Sequence, residues 1–248
     1  MKTDKRKKFY NPPVIQQPVV GQRRAMLNRI RSRAKKYGFD FDKVRPIRYL
    51  LYNKLRNNPP SVIFNVAQET STYPLEIRLE KSDAAWIDKI GLAIHRVLID
   101  SGAEIPANSP RIHYPDPNWF TLTNEARDLE GLYNSQLYIK TDQDMRQERY
   151  DTSQFRCVPE QQYEPNATDT KWWQTPKEAM VDVDTNFGIW GNKRNELEIK
   201  LGEGTYAAIA GNGTTHNNYA VLMLEGFELV RGAESITVSD MNLLFENI

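Results

Sequence analysis

The chain has 248 residues, 40% of them hydrophobic and 26% charged, with a single cysteine, Cys157. That length supports a core without staples, and one thiol excludes an intrachain disulfide framework and a cysteine-based zinc site. The formal charge of +1 conceals two ends of opposite sign. Residues 1–57 carry 17 basic and three acidic side chains, a formal +14, whereas residues 58–248 carry 16 basic and 29 acidic ones, a formal −13. Such asymmetry points to a polyanion-binding arm attached to a body with a different task. No apolar run is long enough to span a bilayer, and the N-terminus lacks the apolar core of a signal peptide.

Residues 1–21 read as an extended arm, because Pro12, Pro13 and Pro18 disfavour helix at the residues before them and Gly21 adds a joint. From Gln22 to Tyr37 the pattern becomes helical. Met26, Leu27, Ile30, Ala34 and Tyr37 recur along one stripe, basic residues fill the other faces, and Gly38 stands where a helix C-cap belongs. A second short helix is predicted from Pro46 to Arg56, with Ile47, Leu50, Leu51 and Leu55 as its stripe and Pro59-Pro60 as its stop. The arm and these two amphipathic helices form one unit, residues 1–57, and the rest, residues 58–248, a second.

After Pro60 the period shifts to two. Val62, Phe64 and Val66 alternate with their neighbours, and Leu75, Ile77 and Leu79 alternate with charged residues, which predicts two strands. Ala85 to Ile99 is apolar throughout, and Gly91 favours strand over helix. Four prolines between Asp100 and Asn118 predict a long loop, and Asn124 to Leu132 a short helix. Further strands are expected at Gln136–Thr141, Met145–Tyr150, Gln154–Val158, Met180–Ile189, Asn195–Leu201, Tyr206–Ala210, Tyr219–Val230 and Ile236–Val238. A second Pro-rich loop occupies residues 159–179. The turns at Gly191-Asn192, Gly202-Glu203-Gly204 and Gly211-Asn212-Gly213 are hairpin or loop signals. The expected fold is mainly β: an antiparallel β-sandwich or jelly-roll body behind a basic arm and two short α-helices.

Catalytic and metal signatures are absent from this pattern. His95, His113 and His216 lie far apart, and none has a second histidine at ligand spacing. Asp182 with Asp184, and Glu196 with Glu198, are paired carboxylates of the kind a glycosidase uses, but an acidic body produces such pairs on solvated strand faces by chance. No phosphate loop or Gly-x-Ser-x-Gly elbow occurs. We therefore expect no enzyme, no cofactor and no metal. Trp119, Trp172, Trp173 and Trp190 lie in or beside loops; Trp119, Trp172 and Trp173 are the candidates for subunit contact, since exposed tryptophans anchor interfaces. The arm has a mechanism: each Lys or Arg that neutralises a phosphate releases a counterion, whatever the base. The candidate nucleic-acid contacts are Lys5, Arg6, Lys7, Lys8, Arg23, Arg24, Arg29, Arg31, Arg33, Lys35 and Lys36.

A basic arm before a β-rich body with long Pro-rich loops resembles the jelly-roll capsid proteins of tailless icosahedral bacteriophages. The resemblance is carried by Pro74-Leu75-Glu76-Ile77-Arg78-Leu79-Glu80 leading to Ile90-Gly91-Leu92, by Leu137-Tyr138-Ile139-Lys140-Thr141, and by Tyr219 to Gly226. It covers residues 60–235 and rests on strand texture. It implies self-assembly into an icosahedral shell, an arm facing the packaged genome, other virion proteins as further partners, and residence in the virion after assembly in the host cytoplasm. It implies no catalytic residue. Many such phages use a double jelly roll, and this body has length for one. The alternatives are a carbohydrate-binding or hydrolytic β-sandwich protein with Trp172, Trp173 and Asp182 or Asp184 in its cleft, and a nucleic-acid-binding accessory or packaging protein.

Overall fold

A computed structural model describes residues 20–39, 41, 43–66, 73–109, 111–141, 144–158 and 180–245. The chain is mainly β, with ten strands and three α-helices among the described residues. Helix α1 (Val20–Tyr37) leads into strand β1 (Lys43–Lys54), β2 (Ser61–Asn65) and the long β3 (Ala84–Asp100). Two short strands, β4 (Ala103–Ile105) and β5 (Arg111–Ile112), precede helix α2 (Glu125–Glu130). Then follow β6 (Gln136–Thr141), β7 (Asp144–Asp151), β8 (Met180–Trp190), β9 (Asn195–Lys200), β10 (His216–Val230) and helix α3 (Val238–Phe245).

All pairings are antiparallel, and they form two sheets. In the larger, the order is β1-β10-β3, and the far side of β3 is paired in succession by β8, β5 and β4. The smaller sheet runs β2-β9-β6-β7. The main core lies between them: Leu51, Ile87, Leu92, Leu222 and Leu224 from the larger sheet meet Phe64, Leu137, Ile139, Leu197 and Ile199 from the smaller. The outer face of the larger sheet is covered twice. At one end α1 and α3 bury Val44, Trp86, Phe227 and Leu229, and at the other Tyr52, Tyr73 and Tyr219 close over Val97 and Val221.

Most strand signals held because one face of each strand is buried. In β2, Val62 and Phe64 are buried and Ile63 is exposed, as alternation demands. The second predicted helix is a correction: Pro46 to Arg56 belongs largely to β1, which pairs with β10 from Lys43↔Val230 to Lys54↔Tyr219. Tyr49 and Leu51 point into the main core while Leu50 and Tyr52 pack on the outer face. A strand buried on both sides shows no alternation, so its leucines read as a helical stripe. Pro46 is tolerated because β1 is an edge strand, where a missing N–H costs no ladder bond. The division at residue 57 therefore cuts across the sheet that β1 belongs to.

Smaller corrections have local causes. Residues 75–79 form isolated contacts, Leu50 bonding Ile77 in both directions, without the ladder of a strand. The stretch expected as strand from Gln154 is a 3-10 turn (Thr152–Phe155), because the Asp151 carboxylate accepts from the Ser153 N–H. Tyr206–Ala210 is a series of turns, and the stretch from Ile236 leads into α3. The Pro-rich loop 159–179, including Trp172 and Trp173, lies outside the described residues.

Candidate nucleic-acid interface

Helix α1 ends where Gly38 adopts φ +71°, and the N–H groups of Gly38 and Phe39 both reach the Ala34 carbonyl at 2.9 and 3.1 Å. That is the left-handed glycine cap its position promises. The helix docks through Ile30 and Ala34, backed by Met26 and Leu27, onto the outer face of the larger sheet and α3. Among the described residues, then, α1 is part of the folded body.

Docking sorts its cations into two sets. Arg23 and Arg33 turn inward. The Arg23 guanidinium lies 3.2 Å from Glu225 and 3.8 Å from Asp88, and Arg33 donates to the Leu244 carbonyl at 3.1 Å, at the open end of α3. Arg24, Arg29, Arg31, Lys35 and Lys36 are exposed. At 100° per residue they fan across the side opposite Ile30 and Ala34. No described carboxylate pairs with these five; Lys36 Nζ stands 5.1 Å over the Tyr37 ring. Lys5, Arg6, Lys7 and Lys8 lie outside the described residues.

Beneath α1, Arg45 and Arg48 of β1 are tied down. Arg48 shares Glu225 with Arg23, and Arg45 pairs with Glu228, which also accepts from the Tyr49 hydroxyl at 3.0 Å. Burial pushes the Arg48 pKa down, helped by the charges of Arg23 and Arg111, and burial raises the Asp88 carboxyl against the pull of Arg23 and Lys89. The body's acidic residues thus neutralise Arg23, Arg45 and Arg48 and leave the outward face of α1 to carry a net positive charge.

Several other candidate residues make contacts within the fold. Trp119 is half-buried against the main core, and Trp190 is buried, its indole donating to the Ile236 carbonyl at 2.8 Å. Asp182 is 81% exposed and pairs with Lys89 at 2.7 Å, while Glu196 and Glu198 share Lys140 at 3.1 and 2.6 Å. These carboxylates line strand faces, where paired charges stabilise neighbours. All three histidines are buried, each on its own hydrogen-bond partners, and among the described residues no cluster of three or more His, Cys, Asp or Glu can hold a metal ion.

Two features escaped the sequence. One is the buried pair of His216 and Glu125, brought together by β10 and α2 across 91 positions. The other is a cavity of about 800 Å³ walled by Arg78, Lys81, Lys193 and Arg194. Both are assembled from segments remote in sequence, so no local spacing announces them. No protein-family model, curated protein or solved structure matches this chain. Among the described residues no helix is long and apolar enough to cross a membrane.

Proposed function

We propose that this chain is a jelly-roll subunit of a virion shell, with the outward face of α1 turned toward packaged nucleic acid. The observation that carries the reading is the strand pairing. Take the eight principal strands in chain order: β1, β2, β3, β6, β7, β8, β9, β10. The first pairs with the eighth, the second with the seventh, the third with the sixth and the fourth with the fifth. Rolling that double-length hairpin brings the eighth beside the third and the seventh beside the fourth, the two remaining principal pairings. We read this pairing as the wrapping of a jelly roll, an architecture used by viral shells and by lectin domains.

Fold alone does not select between those uses. The cationic face of α1 favours the shell. A sugar-binding or hydrolytic protein has no need of it, and Asp182, one of the two carboxylates that reading named, is paired with Lys89 on a strand face. On our reading the contacts are with phosphates, indifferent to sequence, and the protein has no catalytic site or cofactor. It assembles in the host cytoplasm and resides in the virion, with its own copies, genomic nucleic acid and other virion proteins as partners. The loops carrying Trp119, Trp172 and Trp173 would meet neighbouring subunits.

Negative-stain electron microscopy of the purified, nuclease-treated chain across a salt series tests this. Closed shells or regular capsomers are expected. A monodisperse monomer at every salt concentration overturns the shell reading and returns the chain to the class of accessory nucleic-acid binders. Replacing Arg24, Arg31 and Lys35 by Ala should make the log–log salt slope of oligonucleotide binding about 2 units shallower, at roughly 0.7 per lost contact.

A further inference from the structure

The 800 Å³ cavity lies at the end of the larger sheet that α1 and α3 cover. Ala84 pairs with both Trp190 and Leu229, and Leu229 pairs with Val44, so these strand ends coincide; all four residues belong to the cluster beneath the helices. The turn that follows Trp190, residues 191–194, forms one wall. The turn before β3, residues 80–83, contributes to another, and Glu234 is the only carboxylate among the described lining residues.

This frame is rigid. The Gly191 N–H donates to the Asp83 carbonyl at 2.8 Å, and a Cβ at 191 would stand 1.8 Å from the Glu80 carbonyl oxygen, so the two turns touch backbone to backbone. The Asn195 amide donates to the carbonyls of Trp190 at 2.6 Å and Lys193 at 3.0 Å, and Asn192 donates to Ala233 at 3.0 Å. The side chains mounted on it are another matter. Lys81 is exposed, and Arg194 is 86% exposed although one N–H bond reaches Glu196 at 3.0 Å. A guanidinium has five N–H donors, so that pair leaves donors for an incoming anion. Arg78 is different: its charge is offset by Glu76 at 2.8 Å.

We infer that this cavity is a second phosphate-binding site, in which Lys81 and Arg194 grip the backbone of a nucleic-acid strand that also runs along α1. The backbone that carries these cations is already ordered, and the described lining residues include no aromatic side chain on which a base could stack. The inference rests on the reading of the chain as a polyanion binder and assigns part of that task to the sheet body.

The test uses the full, nuclease-treated chain, a labelled single-stranded oligonucleotide and anisotropy titrations from low to moderate salt. Lys81→Ala combined with Arg194→Ala removes two contacts, so between about 50 and 200 mM salt the variant should lose about sevenfold less affinity than the wild type. Both residues are exposed, and an unchanged melting temperature shows that the variant folds. A wild-type salt dependence in this variant overturns the inference; if the α1 triple variant still weakens binding, the proposed function survives. The converse pattern, a response in the cavity variant and none in the α1 variant, overturns the role of α1 and keeps the cavity. Melting both proteins in sodium phosphate at matched ionic strength separates the sources. If wild type and the cavity variant bind the oligonucleotide alike at every salt concentration while only the wild type is stabilised against melting by inorganic phosphate, the site takes isolated phosphate, and the strand assignment fails.

Discussion

Tyr73 Oη lies 3.2 Å from His95 Nδ1, and the other ring nitrogen, Nε2, lies 3.1 Å from the Ser109 carbonyl. A carbonyl only accepts, so Nε2 carries the hydrogen, and Nδ1 of the neutral ring accepts from the tyrosine hydroxyl. The ring is fully buried beneath the outer-face tyrosines, Tyr52 being 5.7 Å away edge-on. Burial pushes its pKa down to about 4, against the Ser109 and Pro106 carbonyls, which favour the charged form.

This makes His95 a source of acid sensitivity. The unfolded chain takes up a proton near the ordinary histidine value while the folded chain resists until about pH 4. Between those values the unfolded state binds more protons, so the contribution is complete above about pH 6.5 and lost as pH falls toward 4. The loss over that window is about 3 kcal/mol. Urea unfolding from pH 4 to 7 should show that slope in the wild type and a flatter one in His95→Gln. Parallel curves would mean that another group titrates.

Docking of α1 makes a separate prediction. Ile30 is completely buried, so Ile30→Ala should destabilise the protein by about 2–5 kcal/mol. Arg31→Ala, one residue on and exposed, should change stability by less than about 0.5 kcal/mol. If chemical denaturation finds both variants alike, the helix does not rest on the sheet in solution.

The legible part of this fold was the part with one dry face. β6 was bounded correctly because Leu137 and Ile139 are buried while Gln136 is exposed and Tyr138 partly so. β1 was misread because both of its faces are dry. Within α1, helical period already places Arg23 on the side of Ile30, seven residues on, so its inward turn was readable; its partners Glu225 and Asp88 were not, being more than 60 positions away. The Lys81–Arg194 cavity was illegible for the same reason. Long-range partners are fixed by strand order, and strand order is not written in local period.

Two glycines should respond very differently to a methyl group. A Cβ at Gly226 would stand 1.8 Å from the Trp86 carbonyl oxygen, beside the β-bulge where β10 passes β3. Because the obstacle is backbone, Gly226→Ala should cost about 3 kcal/mol or more. Gly38 has φ +71° and open space around it, so Gly38→Ala costs only the left-handed conformation, about 1 kcal/mol, and Gly38→Asn less. Midpoints of guanidinium unfolding rank the three variants, and a tolerated Gly226→Ala would refute the close approach of the two strands.

His216 Nε2 lies 2.6 Å from Glu125 Oε1, with the two side chains 1% and 0% exposed. Asn218 Nδ2 reaches the same oxygen at 2.8 Å, and the Leu122 N–H reaches Oε2 at 3.2 Å. Burial pushes the Glu125 carboxyl up, but the hydrogen bonds of His216 and Asn218, the charge of His216 and the Leu122 N–H together hold it below the ordinary value. Its contribution is therefore present above the unfolded carboxylate pKa and lost as pH falls through the lower folded one. Removing one partner strands the other in a dry site. His216→Phe and Glu125→Leu should each cost about 3–5 kcal/mol, and the double replacement less than their sum. Unfolding free energies for the four proteins close that cycle. A double variant as unstable as the sum of the singles would show that β10 and α2 are joined by packing alone.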